Sequence, residues 1–172
     1  MSAAAEQPKV ERLQDEIKRR QRTKEVVDVE EERVKVVIFL CGENLFAFYG
    51  RDIREILPSL EISWVPCLPE YLPGLINVRG DIESVIDLRH FLGEADGSHE
   101  KRLVAMAVQG DFHSGIIIDA IKDVVDIPRS TIQPALATLN GAARDLVVGE
   151  IEYGGETISL LDVGKLAALV AL

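Results

Sequence analysis

Tyr71-Leu72-Pro73-Gly74-Leu75-Ile76-Asn77-Val78-Arg79-Gly80, followed by Val85-Ile86-Asp87-Leu88-Arg89, decides how this chain is read. The Pro-Gly pair opens the run as a rigid turn, and the unbroken apolar segment after it reads as a buried strand. Pro66, Pro69 and Pro73 stiffen the approach, which makes it a preset, exposed loop and not a central strand. Gly74 and Gly80 stand where a side chain is not tolerated, through positive φ or close backbone contact, or else serve as ordinary turn glycines. Arg79 is a single cation in an apolar setting, so its guanidinium needs acceptors. Glu55 is the expected acceptor, either in an internal ion pair that fixes the loop or in a pair bordering a partner surface. The stretch holds no nucleophile, metal-ligand set or phosphate loop. Its chemistry is that of a docking surface.

Outward from this stretch the texture is that of short strands. Residues 36–40 form a continuous apolar run, Gly42-Glu43-Asn44 a turn, and residues 45–49 the returning strand. Residues 52–57 read as a short helical or bent segment closed by Pro58. The pattern then repeats 68 positions on: Val36 falls on Val104, Gly42-Glu43 on Gly110-Asp111, and Ile53-Arg54-Glu55-Ile56-Leu57 on Ile121-Lys122-Asp123-Val124-Val125. Later, Gly80-Asp81-Ile82 resembles Gly149-Glu150-Ile151, and Val85-Ile86-Asp87-Leu88 resembles Leu160-Leu161-Asp162-Val163. This is a duplication into a first half of about 34–93 and a second of about 101–172, two small β units that pack together because neither buries enough surface alone. Asp87 and Asp162 end a strand before an apolar helical run, so each is placed to accept a backbone N–H. Gly93 suits the end of the first such helix, and residues 165–172 form the last helix.

Residues 1–33 differ from the rest. They carry 8 Lys+Arg against 9 Asp+Glu, so nearly all of the net charge of −10 lies in the β-rich part. Val10, Leu13 and Ile17 recur at helical spacing, with Asp15/Arg19 and Glu16/Arg20 as favourable i,i+4 pairs. A charged extension, helical or disordered, precedes one domain over 34–172. The acidity argues against a nucleic-acid or anionic-membrane partner. The absence of an ~18–20-residue apolar span argues against membrane insertion. Without a signal-like start, the expected location is the cytoplasm, with Cys41 and Cys67 as reduced, structural thiols.

Catalytic readings are thin. His90, His99 and His113 have no metal-binding spacing with either cysteine, so no metal or cofactor is expected. Asp81 and Glu83 alternate along a strand and share a face, which suits a solvated face or, as the enzymatic alternative, carboxylate acid–base chemistry in a small hydrolase. Trp64 and Tyr71 read as core or loop anchors or, alternatively, as recognition platforms.

Four elements, Ile53-Arg54-Glu55-Ile56-Leu57, Val65-Pro66, the run 74–80 and Val85-Ile86-Asp87-Leu88-Arg89, resemble in order and spacing the CheW-like adaptor domains of bacterial chemotaxis. The resemblance covers residues 34–172. It implies an all-β fold of two five-stranded Src-homology-type β-barrels sharing a core, with short helices and the charged N-terminal extension. It also implies a non-catalytic coupling protein. The implied partners are the regulatory domain of a CheA-type histidine kinase and the cytoplasmic tip of a methyl-accepting chemoreceptor. Carried over by motif, Ile53, Glu55, Gly74 and Arg79 fall at partner contacts or their supports, and Ile117 and Val124 complete a receptor groove between the barrels. Ser84 departs from the family's usual proline, and Asp81 and Glu83 make the strand unusually acidic. These departures bear on partner identity, leaving open a pilus, gliding or other signalling array.

Overall fold

A computed structural model describes residues 7–26, 31–58, 61–95, 102–139 and 141–171. The linker 27–30 and the inter-half segment 96–101, with His99, lie outside the described residues. The chain divides into two units, residues 1–32 and 33–172. In the first, a 20-residue helix α1 (Gln7–Val26) keeps Val10, Leu13 and Ile17 exposed.

Among the described residues, the second unit has ten strands. The first half supplies β1 (Arg33–Cys41), β2 (Asn44–Tyr49), β3 (Ile53–Leu57), β4 (Gly74–Val78), β5 (Asp81–Asp87) and the short helix α2 (Arg89–Leu92). The second supplies β6 (Leu103–Gln109), β7 (Phe112–Ile118), β8 (Ala120–Pro128), α3 (Gly141–Leu146), β9 (Val147–Tyr153), β10 (Glu156–Leu161) and α4 (Val163–Val170). They form two five-stranded sheets, ordered β8-β1-β2-β10-β9 and β3-β6-β7-β5-β4. Replacing each strand of the first half by its counterpart in the second turns one order into the other. The two halves therefore share one strand plan, although the expected match of Gly80-Asp81-Ile82 with Gly149-Glu150-Ile151 does not hold, since the first spans the β4–β5 turn and the second lies inside β9, and neither half makes a sheet of its own. Each sheet takes two strands from one half and three from the other.

The exchange shows in matching details. The parallel pair β2–β10 sets Phe48 against Leu161, and β7–β5 sets Ile116 against Ile86. The hairpin turns of β1–β2 and β6–β7 both use a left-handed glycine, Gly42 and Gly110. Asp162 caps α4 by accepting the Lys165 N–H at 2.8 Å. Asp87 accepts the Arg89 N–H at 3.1 Å and also the Arg89 guanidinium, while the cap position of α2 itself falls on Leu88.

Residues 53–57, expected as a helical or bent segment, are strand β3. The physical reason is a bulge. Ile53 pairs with Ala107 and Glu55 with Met106, so Arg54 is an extra residue. The insertion turns Ile53 and Ile56 to the same core, three apart as in a helix. β8 has the equivalent bulge, with Lys122 the extra residue between Ile121 and Asp123.

Three apolar clusters explain the runs that lack alternation. The shared core lies between the sheets and includes Phe39, Phe48, Ile86, Ile116, Ile118, Leu146 and Leu166. Phe39 and Phe48 stack there at 5.1 Å between ring centroids. A second cluster, with Val36, Ile38 and Leu160, fills the first sheet's own concavity. A third, with Ile76, Val85, Val104, Met106 and Ile117, fills that of the second. Strands such as β1, β6 and β7 thus bury both faces, each buried large side chain contributing roughly 1.5–3 kcal/mol.

Candidate docking surface

The site is built at the open side of the second sheet, whose edge strands are β3 and β4. The β4–β5 connection is a two-residue turn with Arg79 at φ +54° and Gly80 at φ +96°. Two positive φ values are what a type I′ hairpin turn needs, and its twist suits the flanking strands. Asn77 Oδ1 accepts the Gly80 N–H at 2.8 Å and fixes the turn. This geometry throws the Arg79 side chain across to β3, where it donates to both oxygens of Glu55 at 2.8 and 2.7 Å. The bidentate pair ties one edge of the sheet to the other. It remains reachable, with the Arg79 side chain 71% and Glu55 25% exposed. The Arg79 hydrogen bonds hold the Glu55 carboxyl below the usual carboxylate range and raise the guanidinium in turn.

Gly74 is buried, and its role is close approach. A Cβ there would lie 2.3 Å from the Ser63 carbonyl oxygen, which accepts the Leu75 N–H. Glycine thus lets residues 61–64 lie against β4 and cover its free edge. The same segment leaves Trp64 75% exposed, against the expectation of an anchor. Tyr71 does anchor its loop, packing 5.2 Å from the Phe91 ring.

Of the residues named by motif, Ile53 is half-buried on the shared core and Val124 is 49% exposed on β8. Ile117 corrects the expectation. It is 5% exposed inside the second sheet's own cluster, because β7 is paired on both sides and its odd position faces inward while Ile116 and Ile118 face the shared core. It supports the sheet and lines no groove. Ser84 also has a reason: its hydroxyl lies 2.9 Å from that of the buried Ser114, a bond proline would lack.

Asp81 and Glu83 line a cleft of about 140 Å³ with Arg54, Glu55, Arg79 and His113. That is below the ~300–1,000 Å³ of typical small-molecule sites. A larger cavity of about 390 Å³ lies on the other sheet and carries Glu43, Glu94 and Glu156. It holds no cysteine, histidine or lysine among its lining residues. Among the described residues no cluster of three or more metal-ligating side chains occurs. No helix among them is long and apolar enough to cross a membrane.

Comparison with known proteins agrees with this architecture. The chemotaxis protein CheW of Treponema pallidum is 29% identical over 143 residues, covering 80% of this chain and 84% of that protein. The protein FrzA of Myxococcus xanthus is 29% identical over 133 residues, covering 74% and 81%. The crystal structure of the scaffolding protein TtCheW from Thermoanaerobacter tengcongensis superposes with a TM-score of 0.68 at 26% identity, covering 76% of this chain and 89% of that one. The CheW-like domain family model matches residues 35–171, nearly all of the two-sheet unit, and the chain belongs to that family.

Proposed function

We propose that this protein is a chemotaxis scaffold that joins a CheA-type histidine kinase, through the kinase's regulatory domain, to the cytoplasmic tip of a methyl-accepting chemoreceptor. It works without catalysis of its own, in the cytoplasm, and reaches the membrane-bound receptor array through its partners. The observation that carries this reading is the exposed, bidentate Arg79–Glu55 pair at the sheet edge where the family motif lies. A reachable, geometrically fixed ion pair with half-buried Ile53 beside it suits recognition of an amphipathic helix. Two carboxylates in a small cleft do not suggest a substrate site.

The mechanism is positioning. The scaffold holds kinase and receptor in a fixed relation, and a shift in the receptor biases the kinase between populated states. Contacts of this transient kind have micromolar affinity, about −8 kcal/mol, and arrays multiply them. The test is calorimetric titration with the kinase regulatory domain and with the receptor tip, at two salt concentrations. Micromolar binding is expected. Arg79→Ala should weaken receptor binding about tenfold while shifting the melting temperature by no more than about 2 °C. If Arg79→Ala mainly lowers the melting temperature and the folded fraction still binds normally, the pair is internal bracing. If no CheA-type regulatory domain of the same cell binds, the scaffold serves another signalling array.

A further inference from the structure

The repeated strand plan builds one buried polar corner twice, with one part exchanged. The first copy surrounds Cys41 at the end of β1, where the charges of Asp119, Asp87 and Arg89 all act on the thiol. There the buried Arg89 guanidinium donates to both Asp87 oxygens, and Asp119, at the crossing into β8, accepts the Gly42 N–H at 2.7 Å. In the second copy Gln109 at the end of β6 stands for Cys41, since Gly110 falls on Gly42. Asp162 stands for Asp87, which puts Gly164 in place of Arg89. Asp52, at the crossing into β3, stands for Asp119. Both carboxylates are kept and the guanidinium is not.

The loss of that cation shows at Asp52. It is 5% exposed, and its Oδ2 has no hydrogen-bond partner. A Cβ on Gly164 would lie 2.1 Å from Gln109 Oε1 and 3.0 Å from Asp162 Oδ1, so these two oxygens converge where the arginine side chain leaves the backbone in the first copy. Arg51 is no substitute. It is 67% exposed, its Nε stays 3.9 Å from Asp52 Oδ1, and its guanidinium lies 4.8 Å over the Tyr49 ring. Burial pushes the Asp52 carboxyl above its usual range, Arg51 opposes this, and Asp162 adds to it. A buried carboxylate with an unused oxygen and a second carboxylate beside it calls for positive charge.

We propose that this corner binds a divalent hard cation, Mg²⁺ or Ca²⁺, held by the side-chain oxygens of Asp52, Asp162 and Gln109 in the role that the Arg89 guanidinium fills in the other half. The ligand set is oxygen alone, which suits these ions and offers nothing to a metal that prefers nitrogen or sulfur. Two carboxylates and an amide make a weak site, with Kd on the order of 0.1–1 mM. The bound ion ties the crossing at Asp52 to the start of α4. This goes beyond the proposed function and stands independently of it.

The test uses the full chain, stripped of metal and melted with Mg²⁺ or Ca²⁺ added. Either ion at ten times Kd should raise the melting temperature by about 4 °C, and sodium chloride of equal ionic strength should not. Asp52→Asn should melt higher than wild type without metal and lose the response. Gln109→Met keeps the volume but not the oxygen, and should need at least tenfold more ion. Mn²⁺, used as a paramagnetic probe, should broaden the amides of residues 109 and 162–165 first, and not in Asp52→Asn. An equal rise in wild type and Asp52→Asn, or one that sodium chloride reproduces, makes the effect screening of surface acid and overturns the site. Broadening centred instead on Glu43, Glu94 and Glu156 overturns it as well. Should Asp52→Asn fail to fold, Gln109→Met decides, and a full wild-type response there refutes the proposal.

Discussion

Gly74→Ala separates a contact residue from a supporting one. The added methyl would sit 2.3 Å from the Ser63 carbonyl oxygen and 2.9 Å from Ile62 Cγ2. The nearer atom is backbone, so relief requires moving the segment and not just a rotamer. That segment is held to β4 by two hydrogen bonds, Ser63 N–H to Leu75 O at 2.8 Å and Leu75 N–H to Ser63 O at 3.0 Å. Losing both costs about 2 kcal/mol, and crowding a packed site adds about 1–3 kcal/mol. Alanine's narrower unfolded ensemble returns about 0.5 kcal/mol. The net loss is about 3 kcal/mol, or roughly 10 °C in melting temperature for a domain of this size. Circular dichroism is the right probe. The only tryptophan, Trp64, is 75% exposed in the native state, so its emission changes little on unfolding. Hydrogen exchange should show the Ser63 and Leu75 amides losing protection first. A melting temperature within about 2 °C of wild type, with those amides still protected, would refute the reasoning and return Gly74 to the contact surface.

Other perturbations follow from the buried charges and thiols. Arg89 and Asp87 form a buried ion pair, with Nε to Oδ1 at 2.9 Å, and Arg89→Met should cost about 3 kcal/mol by urea denaturation. Burial works to raise Asp87, but the Arg89 hydrogen bonds and charge outweigh it and hold the carboxyl below its usual range. The pair's contribution is therefore present above the unfolded value near 3.9 and is lost as pH falls through the folded one. Asp52 has the opposite sign. Burial raises it, Arg51 opposes, Asp162 adds to the rise, and its Oδ2 has no hydrogen-bond partner. Its favourable contribution is complete below the unfolded value and is lost as pH rises through the folded one, so Asp52→Asn should melt higher than wild type near pH 7 and lose that advantage on acidification. Burial, with Asp119 and Asp87 nearby, pushes the Cys41 thiol up to about 12. Native protein should therefore yield one fast thiol, the exposed Cys67, and a second only on unfolding.

The sequence makes the strands and their repetition legible because burial on both faces leaves unbroken apolar runs, as in 36–39 and 115–118. It does not make the pairing legible. Nothing local in β3 says that it joins β6 of the other half, since that choice is made by the shared core. Residues 53–57 imitate a helix because the Arg54 bulge shifts the strand's alternation, and a bulge has no side-chain signature. The Arg79–Glu55 pair was readable from the need of a lone guanidinium for acceptors. Tyr153 was not, because a tyrosine before a Gly-Gly turn reads as an ordinary strand end, and only the two-sheet topology brings it to Asp123. Ile117 was misplaced for a related reason. Three successive isoleucines do not reveal which one faces the shared core.

The strand exchange constrains how the molecule transmits a signal. The chain crosses from the first sheet to the second through a 3₁₀ turn of three residues, Gly50–Asp52, and returns between β7 and β8 through Asp119 alone. Each crossing carries a buried aspartate. Asp119 accepts the Gly42 N–H at 2.7 Å and donates its own N–H to Leu40 O at 2.9 Å, so that crossing is pinned to the β1–β2 turn. Crossings this short leave no slack for one sheet to swing on the other, and the shared core between them is close-packed apolar side chains. A hinge would need longer connections or an interface with two packings. The edges β3 and β8 begin immediately after these crossings, with Ile53 and Ile121 both seated on the shared core. A partner pressing on either edge therefore moves both sheets together. On the proposed function, the scaffold would carry receptor position to the kinase as a rigid body, and the freedom that separates kinase states would belong to the interfaces on either side of it.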